Sequence, residues 1–230
     1  MLARGWHAVI AVLVLAALAL QIAIAVRVPG RPASVSTGVI AGSSLAGRII
    51  RVLSFFTILS NLLCGVVSAQ LAGRPGRDGP AWRALRLAAL VGITVTGIVY
   101  STVLAAIHEP HGPAEITVNT IVHYVVPILM VAGWLAFGPR PGIDRATVLR
   151  SLAFPPLWFA YTLVRGAIWS WYPYPFVDVT SHGFLRVLLN ALLITVVIGA
   201  VAGLFALGDP RLPATPSAPG QQRGQSAARR

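Results

Sequence analysis

Apolar residues run almost unbroken through six stretches of the chain, at about 6–26, 49–72, 84–107, 116–137, 148–169 and 184–207. A helix needs about 20 such residues to cross the hydrocarbon core of a bilayer. Short segments holding Pro, Gly and Arg separate the runs. The pattern predicts an all-α, polytopic integral membrane protein with six transmembrane helices over residues 1–208. The first run ends in "AIA" at 23–25, which looks like a signal-peptide cleavage site. Its apolar stretch is longer than the ~7–15 residues of a signal h-region, so an uncleaved helix is expected. The segment 209–230, rich in Pro, Ser, Gln and Gly, is expected to be a disordered cytoplasmic tail. No internal repeat is evident.

Composition agrees with this pattern. The chain is 56% hydrophobic and only 10% charged, against about 25% charged for a soluble domain. The lipid bilayer is therefore the expected solvent and main partner. The net charge of +12 comes from 18 basic residues, all of them Arg. It does not point to nucleic acid, because the arginines gather in short loops where the positive-inside bias puts them. Arg4, Arg74, Arg77, Arg83, Arg86, Arg140, Arg145, Arg150, Arg211, Arg223, Arg229 and Arg230 share one side, 12 of the 18. The 27–48 loop dissents, with Arg27, Arg31 and Arg48, and with Arg51 just inside the next span. This predicts a multi-pass protein of the cell membrane with both termini cytoplasmic. The single cysteine, Cys64, excludes an intrachain disulfide and a Cys-based metal framework.

Polar residues inside the apolar runs carry the chemistry. In "SFFTILSNLLCG", residues 54–65, and just beyond, Ser54, Thr57, Asn61, Cys64 and Ser68 fall on one narrow helical face at ~100° per residue. Small polar groups commonly tie membrane helices together, and Ser54, Cys64 and Ser68 fit that role. The fourth run holds Asn119 and His123 one turn apart, and Pro127 frees a backbone carbonyl near His123. An ionisable residue inside a span marks a site by default. Thr57 lies roughly 13 Å along the helix from Arg48, and His123 roughly 12 Å from Glu115, so both fall at one depth in the outer half. The fifth run places Tyr161 and Arg165 on one face, and the sixth Arg186 and Asn190. Between them "WSWYPYPFVDVTSHG" carries Asp178 and His182, with Asp178 a natural partner for Arg165 or Arg186. The loop "HEPHGPAE" has two His and two carboxylates, but Pro and Gly between them weaken a metal reading. The polar residues of four runs thus converge in the outer half, which predicts a pocket open outward or into the outer leaflet.

"FFTILSNLL", "NTIVHYVVPILM" and "WYPYPFVDV" together resemble the androgen-induced-protein-like family of six-helix membrane proteins, and most closely its bacterial branch. The likeness covers about residues 50–205. Animal members are intramembrane threonine hydrolases that cleave fatty-acid esters of hydroxy fatty acids with one Thr and one His. By motif match the resemblance implies Thr57 as nucleophile and His123 as base. "YPYPF" belongs to the bacterial branch.

The residues admit this chemistry. A threonine hydroxyl is a weak nucleophile and needs an adjacent base, which His123 offers. Asn61 and Asn119 are candidate N–H donors to an oxyanion, and Arg165 or Arg186 to a lipid carboxylate or phosphate. With no acidic residue inside the spans, a Thr–His dyad is expected, working without a cofactor. Two other functions stay open: a non-enzymatic lipid-binding or small-solute transport module using the same pocket, and a haem protein, which would need a second His at the depth of His123.

Overall fold

Lipid supplies no hydrogen bonds, so each segment must satisfy its own backbone groups, and helices do this. In the computed structural model, which describes residues 1–27 and 44–213, the chain is all-helical and no strand occurs among the described residues. The elements are α1 (Leu2–Arg27), α2 (Leu45–Leu53), α3 (Phe56–Gly73), α4 (Pro80–Val99) running on into a π turn (Tyr100–Leu104), and α5 (Gly112–Thr120). A second π turn (Ile121–Val125) joins α5 to α6 (Val126–Phe137). Then come α7 (Arg145–Ser151), α8 (Phe154–Trp169), a 3-10 turn (Pro175–Val177), α9 (Val179–His182) and α10 (Phe184–Gly208). Arg31 of the dissenting loop and residues 214–230 of the expected tail lie outside the described residues.

Five segments are long and apolar enough to cross a membrane: α1, α3, α4 with its π turn, the continuous Gly112–Phe137 rod, and α10. The fifth run is the exception. It divides between α7 and α8, because Pro155 and Pro156 are tolerated in the first turn of a helix but not in its interior. The 16 residues of α8 span about 24 Å, less than the ~30 Å of a hydrocarbon core.

The second run also differs from a single helix over 49–72. It breaks at Ser54–Phe55, where Ser54 Oγ donates to the Ile50 carbonyl at 2.6 Å and Phe55 takes an extended conformation. A serine hydroxyl that competes with the helical ladder gives the chain this alternative. The expected tail begins differently as well. Asp209 is buried, and its carboxylate accepts the backbone N–H groups of Gly142 and Ile143 at 2.6 and 2.9 Å, which pins the α6–α7 loop.

The core forms where α3 packs between α1 and α4, with α6 and α10 closing it around Ile10, Val14, Cys64, Leu87, Ile93 and Val126. The outward faces stay apolar: Val9, Val12 and Leu15 on α1, and Leu188, Leu192 and Val196 on α10, are exposed. In water such surface would be costly; in lipid it is the normal exterior.

The polar stripe does face neighbouring helices. Ser54, Thr57, Asn61, Cys64 and Ser68 are all buried. Cys64 Sγ points at the Ala89 carbonyl (3.6 Å) and Ser68 Oγ at Met130 Sδ (3.4 Å), both contacts between helices.

Candidate active site

The site forms where the start of α3 meets the second π turn. That turn widens the backbone ladder to i→i+5, with the Val126 N–H reaching the Ile121 carbonyl. The next bond in that register would run from residue 127 to Val122, but Pro127 has no N–H. Asn61 Nδ2 takes the vacant acceptor, donating to Val122 O at 3.1 Å and to its own Thr57 O at 2.9 Å. Gly97 lets α4 approach the same turn: a Cβ there would lie 3.2 Å from Pro127 and 3.4 Å from the His123 carbonyl. Asn61 is thus a clasp between α3 and the π turn, and it fixes Thr57 relative to His123.

Thr57 Oγ1 lies 3.4 Å from His123 Nε2. On the other side of the ring, His123 Nδ1 lies 2.8 Å from Asn119 Oδ1 and 3.2 Å from the Asn119 carbonyl. Two acceptors there require the proton on Nδ1, which leaves the Nε2 lone pair facing the threonine hydroxyl. The Tyr100 ring stacks on the imidazole at 3.8 Å and 15°, and its hydroxyl meets His108 Nδ1 at 3.1 Å.

Tyr174 completes the group. Its hydroxyl oxygen accepts the Thr57 backbone N–H at 3.1 Å and lies 3.2 Å from Thr57 Oγ1. The start of α3 has no side-chain cap of its own, and this phenol fills the place. Burial pushes the Tyr174 phenol above its ordinary pKa, so it keeps its proton. Tyr174, as the residue before Pro175, is held extended, and it stacks on Phe176 and sits edge-on to Phe55.

Two apolar cavities meet at this point. One, of about 170 Å³, is lined by Ile24, Tyr100, His108, Asn119 and His123. The other, of about 300 Å³, is lined by Thr96, Trp158, Phe159, Ile194 and Thr195. Thr57, Tyr174 and Leu104 line both. Thr57 is only 7% exposed, so what reaches its hydroxyl must enter through a cavity.

The other residues expected at the pocket are elsewhere or otherwise engaged. Asn61 cannot supply an oxyanion donor, since both its N–H groups go to the Thr57 and Val122 carbonyls. Asn119 turns its carbonyl oxygen to His123 and acts as an orienting group. Tyr161 pairs with Ser54 Oγ at 2.8 Å, which ties α8 to the end of α2. Asp178 pairs with neither Arg165 nor Arg186. Its carboxylate caps α9, accepting the Thr180 and Ser181 N–H groups and both hydroxyls. His182 and Arg186 are exposed. Asn190 donates to the Phe176 carbonyl at 2.9 Å and anchors the aromatic loop. Arg165 is buried against two indoles. No cluster of three or more His, Cys, Asp or Glu able to hold a metal occurs among the described residues.

Asn61 yields a first prediction. Asn61→Ala leaves the Val122 carbonyl unpaired in a dry interior, and should destabilise the protein by about 1–3 kcal/mol. A lowered apparent Tm in detergent would show it. An unchanged Tm would mean that the clasp contributes nothing.

Fold and site together define an all-helical, membrane-embedded protein with a buried Thr–His–Tyr constellation between two apolar cavities. No family model, no curated protein and no solved structure matches the chain.

Proposed function

We propose that the protein is an intramembrane lipid-ester hydrolase in which Thr57 is the nucleophile and His123 the general base. The observation that carries this reading is the Thr57 Oγ1–His123 Nε2 approach at 3.4 Å, with the opposite ring nitrogen held by Asn119. Free-enzyme contacts of this kind are often long and tighten with substrate.

Thr57 Oγ1 attacks the ester carbonyl carbon while Nε2 takes its proton. The carbonyl oxygen becomes an oxyanion on the same carbon as Oγ1, two bonds away from it. The Tyr174 hydroxyl, already 3.2 Å from Oγ1, turns to the stronger acceptor, at a helix N-terminus where negative charge is favoured. Collapse breaks the C–O bond, and the imidazolium returns its proton to the leaving alkoxide. The released alcohol leaves an acyl-threonine. Water, deprotonated by the same imidazole, then frees the fatty acid and restores Thr57. The two cavities on either side of Thr57 suit the acyl and alcohol limbs of a long-chain ester, and their apolar linings favour such substrates over small soluble ones. The likeness of the "FFTILSNLL" and "NTIVHYVVPILM" stretches to threonine-type ester hydrolases supports the same roles.

In this reading the protein has six spans, with the short α8 as the fifth, and both termini are cytoplasmic. A C-terminal fusion to a reporter active only outside the cytoplasm should stay silent; activity there would invert the topology. The chemistry is tested by purified protein in detergent acting on a panel of simple and branched fatty-acid esters. Absence of turnover across the panel, with lipid still bound, would favour a binding or transport role.

A further inference from the structure

Away from the dyad, Arg165 on α8 presents a charge that no carboxylate among the described residues neutralises. It is 8% exposed, and its Nη1 is buried without a hydrogen-bond partner. Its guanidinium lies 4.4 Å from the Trp171 ring centre and 5.7 Å from that of Trp169. Arg51 of α2 lies 5.3 Å from the same Trp171 ring, and the two guanidiniums act on each other as like charges. The carboxylate expected nearby, that of Asp178, is spent on capping α9. The only ion pair among the described residues is Arg83–Asp78. Cation–π contact with indole offsets part of the desolvation of a buried guanidinium, but leaves the Nη1 donors without an acceptor among the described residues.

We infer that Arg165 and Arg51, set against Trp171, form a binding site for the phosphate or carboxylate of an anionic amphiphile. A guanidinium fork matches the paired oxygens of either group. Trp169, Trp171 and Tyr161 beside it are the aromatics that lie at headgroup level in a membrane. Tyr161 is one turn from Arg165 and, through Ser54, ties α8 to the end of the helix that carries Arg51. Gly166 makes the close cover possible, since a Cβ there would overlap the Tyr172 ring. Phe55 touches both Trp171 and Tyr174, at 5.9 and 5.4 Å between rings, and lines the smaller cavity. A headgroup held by Arg165 would therefore have its chain beside the Thr57 cavities. The site itself does not depend on ester hydrolysis.

The test is binding, not turnover. Full-length protein in neutral detergent is titrated with phosphatidylglycerol, with phosphatidylcholine of the same chains, with a free fatty acid and with inorganic phosphate, followed by Tm and tryptophan fluorescence. Phosphatidylglycerol or the fatty acid should stabilise the wild type and perturb its fluorescence, and phosphatidylcholine should not. Arg165→Gln and the milder, half-buried Arg51→Gln should each weaken anionic binding by roughly tenfold or more, as expected for losing a charge-assisted partner. Arg145→Gln, on the short α7, should bind as wild type. Saturable competition by inorganic phosphate alone would assign the site a soluble anion; competition by lipid only would assign it a headgroup. Equal response to anionic and neutral lipid in the wild type, or unchanged affinity in Arg51→Gln, would overturn the proposal. Loss of ester hydrolysis with anionic binding intact would count against the dyad and not against this site.

Discussion

Thr57→Val is expected to abolish the proposed ester hydrolysis, lowering it by about three orders of magnitude or more, while expression and monodispersity stay intact. Valine keeps the shape of threonine and removes only the hydroxyl that lies 3.4 Å from His123 Nε2. Thr57→Ser restores a hydroxyl at the same place and keeps part of the rate. His123→Ala should match Thr57→Val, because members of one catalytic unit do not add their losses. Cys64→Ala and Ser68→Ala should stay active, since their partners are the Ala89 carbonyl and Met130, and neither residue lines the two cavities that meet at Thr57. Hydrolysis rates of the purified variants check all five. If the stripe were only packing, Thr57→Ser and Thr57→Val would be equally mild.

Tyr174→Phe should lower kcat by about 10²–10³-fold with KM little changed, the usual loss for one oxyanion donor. Phenylalanine keeps the stack on Phe176 and the edge contact with Phe55. The same substitution removes the acceptor for the Thr57 N–H, a helix-cap loss of ~1 kcal/mol that lowers Tm by itself. The two roles separate cleanly: a lowered Tm with wild-type kcat would reduce Tyr174 to a cap.

Much of this was legible in the sequence, and the reasons differ by residue. Six apolar runs gave the helical architecture directly, because in lipid the length of an apolar run is nearly the whole signal. Thr57 and His123 stood out as polar groups at one depth, and the structure brings them together. Tyr174 did not stand out. In an aromatic loop it reads as an interface anchor, and only the flanking prolines hint that its backbone is held in a fixed shape. Asn61 lies on the expected face, but its N–H groups clasp the Thr57 and Val122 carbonyls and are not free for an oxyanion. Helical spacing says which side a group faces, not which carbonyl a proline has left vacant in a π turn. The Asp178–Arg165 pair failed for a local reason. In "DVTS" two N–H groups and two hydroxyls lie within three residues of the carboxylate, and no distant guanidinium competes with that at equal entropy cost. The break after Ser54 has the same origin, a hydroxyl that finds its own backbone four residues back.

In the proposed reaction Thr57 is a nucleophile activated by His123. Treating the purified protein with a fluorophosphonate probe and mapping the adduct by peptide mass spectrometry tests this at the atom concerned. A single adduct is expected on the peptide bearing Thr57, absent in Thr57→Val and His123→Ala and retained in Cys64→Ala. Labelling that persists in Thr57→Val, or a wild-type protein that turns over esters without ever being labelled at Thr57, would contradict it.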